Sequence, residues 1–148
     1  MKKITIYSDG SSLGNPGPGG WGTILSFKDI KKELSGSEDN TTNNRMELLG
    51  AIKGLEALKE PCDVEIISDS SYVVKGINEW LSGWIKNNWR NSQKKEVKNT
   101  DLWKQYIEVS SKHNIKAIWV KGHAGHEENE RCDFLARSEA EKLQEQLS

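Results

Sequence analysis

The sequence predicts an α/β fold, a five-stranded mixed sheet flanked by helices in the order β-β-β-α-β-α-α-β-α. Three observations predict it. Two stretches with period-two alternation, at 3–9 and 21–27, are separated by the turn-forming cluster GNPGPGG, which is how hairpin-connected strands read. Two later apolar runs, VEIIS at 64–68 and IKAIWV at 115–120, each follow a segment of helical periodicity. Strand–helix–strand crossovers are right-handed and favour parallel pairing. The first, fourth and fifth strands should therefore form a parallel centre, with the first three supplying an antiparallel edge.

Each element has its own signal. In the first strand Ile4, Ile6 and Ser8 alternate with Thr5, Tyr7 and Asp9, and a third strand is expected near 31–37. Asn44 and Glu47 have the spacing of a capping box, and Leu48, Ile52, Leu55 and Leu58 recur at helical intervals, so a helix is predicted over 44–59, closed by Pro61. Residues 70–81 and 101–112 are read as helices, and 127–146 as a charged amphipathic last helix. The polar stretch NNWRNSQKKEVKN at 87–99 is an excursion from the fold, not a domain boundary.

The 148 residues fit one domain, spanning 1–148. A chain of this length hides about 68–70% of its unfolded surface, enough to fold without disulfide or structural metal. Cys62 and Cys132 lack the regular spacing of a secreted disulfide scaffold and are expected as free thiols in the cytoplasm. No run approaches the ~18–20 apolar residues of a spanning helix, so no membrane partner is expected. A net charge of −1 gives no overall attraction to a polyanion. The charge is segregated, however: between Trp84 and Lys104 six basic residues face two acids.

Ligand chemistry in open α/β sheets gathers beyond the carboxyl ends of the parallel strands. Asp9 closes the first strand and Asp69 the fourth, so the two should project from one edge. Glu47 is expected in the first turn of the intervening helix and Asp133 in the second turn of the last one. Four acids from four elements then converge. Crowded carboxylates repel one another unless a divalent cation sits among them, and hard oxygen ligands suit Mg²⁺ or Mn²⁺. Taken singly, each acid also has an ordinary structural reading: Asp9 in a turn, Glu47 completing a capping box, Asp69 capping a helix, and Asp133 paired with Arg137 four residues on.

Four motifs, YSDGSSLGNPGPGGWG, TTNNRMELLGAI, IISDSSYV and WVKGHAGHEENERCDFLAR, occur in this order over nearly the whole chain. Together they resemble bacterial-type ribonuclease H type 1. The resemblance implies a ribonuclease H-like fold and a metal-dependent endonuclease that cleaves the RNA strand of RNA–DNA hybrids, leaving 3′-hydroxyl and 5′-phosphate ends. It implies that Asp9, Glu47, Asp69 and Asp133 hold two metal ions, and that His123 assists proton handling or product release. It further implies that Asn15, Asn43 and Asn44 contact the hybrid, and that Thr42 with Asn99 grips a phosphate of the DNA strand. Asn40 stands where relatives often carry arginine in that grip. The segment at about 81–99 becomes a basic protrusion that docks the DNA strand through Lys86, Lys94, Lys95 and Lys98, beside Trp80 and Trp84.

Elementary chemistry agrees with several of these roles. Amides suit 2′-hydroxyls and minor-groove edges, and lysines act through phosphate charge and counterion release. Turn chemistry, core packing and solvated charge are the ordinary readings of the same residues. Two other motifs fail on context. GPGGWG at 17–22 matches the dinucleotide fingerprint G-x-G-x-x-G but leads into a strand instead of a helix. His126 and Cys132 lack the paired spacing of zinc ligands. A non-catalytic module that binds hybrids or double-stranded RNA is the alternative function, and a DNA-cutting nuclease on the same fold a third. A monomer is expected.

Overall fold

The computed structural model describes residues 1–148. Five strands, β1 (Lys2–Ser12), β2 (Gly17–Phe27), β3 (Ile30–Thr41), β4 (Cys62–Ser68) and β5 (Asn114–Trp119), form one sheet in the order β3-β2-β1-β4-β5. β1 is antiparallel to β2 and parallel to β4, which is parallel to β5. The mixed sheet is the one the sequence predicts. The helices are α1 (Asn43–Glu56), α2 (Ser71–Lys75), α3 (Leu81–Lys86), α4 (Thr100–Ser110) and α5 (Glu127–Leu147). None is long and apolar enough to cross a membrane.

The two sheet faces are covered differently. On one, Ile6 and Thr23 meet α1, which buries Leu48, Ile52 and Leu55. Alternation puts Ile4, Ile6 and Ser8 on that face, and all three are buried. On the other, α5 lies almost on the backbone of β2. A Cβ on Gly20 would stand 2.2 Å from the Ala136 carbonyl oxygen, and one on Gly22 2.5 Å from that of Cys132. Small residues on both sides permit this approach, and Cys132, Ala136 and Ala140 are fully buried under it. The close packing anchors the amino half of α5, and with it Asp133, above the sheet.

Three sequence expectations change. β3 runs to Thr41, well past residue 37. The cap of α1 is Thr42, whose hydroxyl accepts from the Arg45 N–H at 3.3 Å, so Asn44 and Glu47 form no capping box and Glu47 lies in the second turn. The helix predicted over 70–81 is interrupted by a π turn at Gly76–Trp80 and continues as α3 to Lys86. The first residue of that turn, Gly76, sits against the six-membered ring of Trp103, where a Cβ would come within 2.3 Å. Such a turn absorbs one extra residue without breaking the helix. Residues 87–99 then leave the fold as an excursion closed by an Arg90–Glu96 bridge.

Candidate active site

Parallel pairing of β1 with β4 ends at Tyr7 and Ile67. Two residues further along each strand come Asp9, still paired with Gly22 of β2, and Asp69, directly after the last residue of β4. Both therefore emerge at the carboxyl edge of the parallel strands. Asp9 is part of a continuing strand, and the turn reading of Asp9-Gly10-Ser11 does not hold. α1 brings Glu47 to the same edge. One carboxylate oxygen from each of Asp9, Glu47 and Asp69 lies within 4.8 Å of the others, with Asp9 and Glu47 buried and Asp69 half-buried.

The cluster is electrostatically costly as it stands. Burial pushes the Asp9 carboxyl up to about 7, with the Asp69 and Asp133 charges adding to the rise. Burial also holds Glu47 well above the usual carboxylate range, with Asp9 the next cause. Asp69 is raised by burial, then by Asp133. The Gly10 N–H donates to Asp9 Oδ1 at 2.9 Å, but the buried Oε2 of Glu47 has no hydrogen-bond partner. A buried, unpaired carboxylate oxygen among other carboxylates is poorly solvated by protein alone. An all-oxygen acidic donor set of this kind fits a hard divalent cation.

Asp133 stands apart from the three. Its Oδ2 accepts from Arg137 Nε at 2.9 Å, the i,i+4 pair of its ordinary reading. Its charge is nevertheless felt at Asp9 and Asp69. His123 lies on an exposed loop with φ of 55°, and its charge opposes the rise of Asp69. His126 is exposed, whereas Cys132 is buried with its thiol 3.4 Å from the Tyr7 carbonyl oxygen, so they share no metal site.

At the amino end of α1 a hollow of about 280 Å³ is lined by Asn15, Thr42, Asn43, Asn44, Lys98 and Asn99. Part of its polar capacity serves the loop itself: the Ser12 N–H donates to Asn43 Oδ1 and the Asn43 N–H to Asn15 Oδ1. Lys86, Lys94, Lys95 and Lys98 are all exposed. Trp80 is exposed and Trp84 half-buried, with ring centroids 5.8 Å apart, and Trp84 packs on the wholly buried Trp103 at 5.4 Å.

Three residues without a role in the sequence analysis shape this region. Arg45 grips Asp101 with both Nη atoms, at 2.9 and 2.8 Å, and reaches Asn99 Oδ1 at 3.3 Å. Tyr72 accepts from Asn99 and Trp103. Trp119 donates its indole N–H to the Asp69 carbonyl at 3.0 Å. Arg45 and Tyr72 both sit inside the motifs TTNNRMELLGAI and IISDSSYV. A cation in the first turn of α1, where the helix dipole disfavours positive charge, is the signal that could have found the first of them.

Comparison with known proteins places this geometry. The RNase H family model matches residues 1–141. The chain is 62% identical over 146 residues to the Ribonuclease H of Sulfurovum sp. (strain NBC37-1), covering 99% of this chain and 96% of that protein. It is 56% identical to the Ribonuclease H of Campylobacter concisus (strain 13826), over 99% and 98% of the two chains. Among solved structures it is similar to LC9-RNase H1, a type 1 RNase H with the type 2 active-site motif. That TM-score is 0.87 at 28% identity, over 96% of this chain and 74% of that one. The family match runs unbroken through all five strands and all four acids, and the chain belongs to the RNase H family of nucleases.

Proposed function

We propose that this chain is an endoribonuclease that hydrolyses the RNA strand of RNA–DNA hybrids, giving 3′-hydroxyl and 5′-phosphate ends. The observation that carries the proposal is the convergence of Asp9, Glu47 and Asp69, two of them buried, one with an unpartnered oxygen. We assign Mg²⁺ as the ion, two per site with substrate bound, and Mn²⁺ as a substitute. Asp9, Glu47, Asp69 and Asp133 would hold it, Asp133 by turning from Arg137. The chemistry a pair of divalent ions supplies when bound is activation of the attacking water and charge stabilisation at the departing 3′ oxygen.

The chain's own residues do the rest. Asp9 and Glu47 would have to bind the ion as charged carboxylates, the form that burial disfavours in the metal-free site. Trp119 fixes the Asp69 backbone from behind. His123, on its exposed loop near Asp69, exchanges a proton with the departing group or helps product leave. Asn15, Asn43 and Asn44 meet 2′-hydroxyls of the RNA strand, while Thr42 and Asn99 hold a phosphate of the DNA strand. Lys86, Lys94, Lys95 and Lys98, with Trp80 and Trp84, dock the DNA strand at the protrusion of about 81–99. We read 1–148 as one such domain acting as a monomer in the cytoplasm, where its two buried free cysteines stay reduced.

Strand-specific cleavage of a labelled hybrid, with Mg²⁺, with Mn²⁺ and with chelator, tests the proposal beside an Asp69→Asn control. Metal-dependent loss of the RNA strand alone, absent in the variant, is expected. Binding without cleavage, or equal cleavage of a DNA duplex, would overturn it.

A further inference from the structure

Asn99 lies at the foot of the protrusion in a left-handed conformation, φ 61°, and its side chain is held from two sides. Arg45 Nη1 donates to its Oδ1 at 3.3 Å, and its Nδ2 donates to the Tyr72 hydroxyl oxygen at 3.0 Å. Arginine has donors only, so the carbonyl end of the amide must face Arg45 and the amino end Tyr72. The Trp103 indole is likewise a donor only, and it gives its N–H to the same Tyr72 oxygen at 2.9 Å. The direction of each hydrogen bond from Trp103 through Tyr72 and Asn99 to Arg45 is thereby fixed. Both lone pairs of the phenol are spent as acceptors. Asn99 keeps its second Nδ2 hydrogen and one Oδ1 lone pair free, and the hollow it lines with Thr42 also carries the Lys98 cation. Beside that cation an anionic acceptor is favoured, and it is the free N–H that such a ligand can meet.

We propose that Tyr72 is a positioning residue: by accepting from Trp103 and Asn99 together, its phenol oxygen locks the Asn99 carboxamide so that its spare N–H grips a DNA-strand phosphate. The proposal rests on the hybrid reading of this hollow. Tyr72 is suited to the role because its own position is rigid. Its ring packs on Trp103 at 5.8 Å and on Trp80 at 6.3 Å, and Trp103 is wholly buried. The hydroxyl is thus a fixed point between the core and a loop residue that holds an uncommon backbone conformation.

The test is a scan of single methylphosphonate substitutions along the DNA strand of one fixed hybrid, with KM and kcat measured for each. Wild type is expected to show one position at which removing the charge raises KM. Tyr72→Phe should raise KM on the unmodified hybrid about 2–10-fold, leave kcat within about twofold, and shrink the penalty at that position. The double variant Tyr72→Phe/Asn99→Ala should be no worse than Asn99→Ala, since the two act as a unit. Tyr72→Phe also leaves the Trp103 N–H unpartnered and should lower the melting temperature. A lower melting temperature with unchanged KM and an undiminished penalty overturns the positioning role alone. A wild type indifferent to every DNA-strand phosphate overturns the grip itself, and the proposal with it.

Discussion

A Cβ on Gly10 would stand 2.3 Å from the backbone nitrogen of Glu47, so the strand that carries Asp9 and the helix that carries Glu47 touch through bare main chain. No side-chain shift relieves such a contact. Gly10→Ala is expected to destabilise the protein by about 2–3 kcal/mol through overpacking and to part the two carboxylates. Thermal unfolding and cleavage measured at a temperature where the variant is folded would check it. Wild-type kcat in a destabilised variant would show that the backbone contact does not set the site.

Gly122 makes the opposite case. A Cβ there would meet Asp69 Oδ2 at 2.7 Å, the far end of a flexible side chain. The side chain can give way at little cost to stability, but it gives way by leaving the cluster. Gly122→Ala should keep its melting temperature within about 2 °C of wild type, as expected of a change worth under 1 kcal/mol. Its kcat should fall about tenfold or more, because misplaced catalytic geometry is costly. Comparable losses in both quantities would contradict this account.

The sheet was legible because alternation and turn residues are local signals. Ile4, Ile6 and Ser8 announce which face is buried, and crossover handedness then puts Asp9 and Asp69 at one edge. What escaped was decided by tertiary contact. In TTNNRMELL both Thr42 and Asn44 are good caps, and spacing favours Asn44 with Glu47. Burial of Glu47 beside Asp9 takes it away from any capping role and leaves the cap to Thr42. The π turn leaves no mark in the spacing of Trp80 and Trp84, and the ring that Gly76 meets there, Trp103, comes from a helix distant in sequence. Asp133 was expected to converge with the other acids, but in this structure it lies outside the three-acid group and its carboxylate accepts from Arg137.

The crowded carboxylates set a pH dependence with a definite sign. The folded Asp9 carboxyl at about 7 lies above the unfolded value of about 3.9, so the folded state prefers the protonated form. Its contribution to stability is full below about pH 4 and is lost as pH rises through 7. Asp101 and Glu33, held low by Arg45 and Arg131, lose their contributions only as pH falls below the ordinary carboxylate range and do not blur this window. In the metal-free protein the melting temperature should therefore fall between pH 5 and 8, by roughly 5 °C. Asp9→Asn should flatten that fall and be no less stable at pH 8 while losing turnover, and Mg²⁺ should raise the wild-type melting temperature more at pH 8 than at pH 5. A clearly lower metal-free melting temperature for Asp9→Asn at pH 8 would reject the crowding argument.

The protrusion separates binding from chemistry. Lys86, Lys94, Lys95 and Lys98 are exposed and none enters an ion pair, whereas the segment's attachment is aromatic and interior, through Trp84 on Trp103 and the buried Val97. Neutralising the four lysines removes positive charge without touching that attachment or the carboxylates. Each phosphate that a lysine no longer neutralises should lower the slope of log KM against log salt by about 0.7–0.9. The fourfold alanine variant is therefore expected to show a KM raised about tenfold or more at low salt, a flatter salt dependence, and kcat close to wild type, as when binding common to ground and transition states is removed. An unchanged KM at low salt would remove the protrusion from substrate docking. A fall in kcat at constant KM would instead mean that these lysines act on the chemical step.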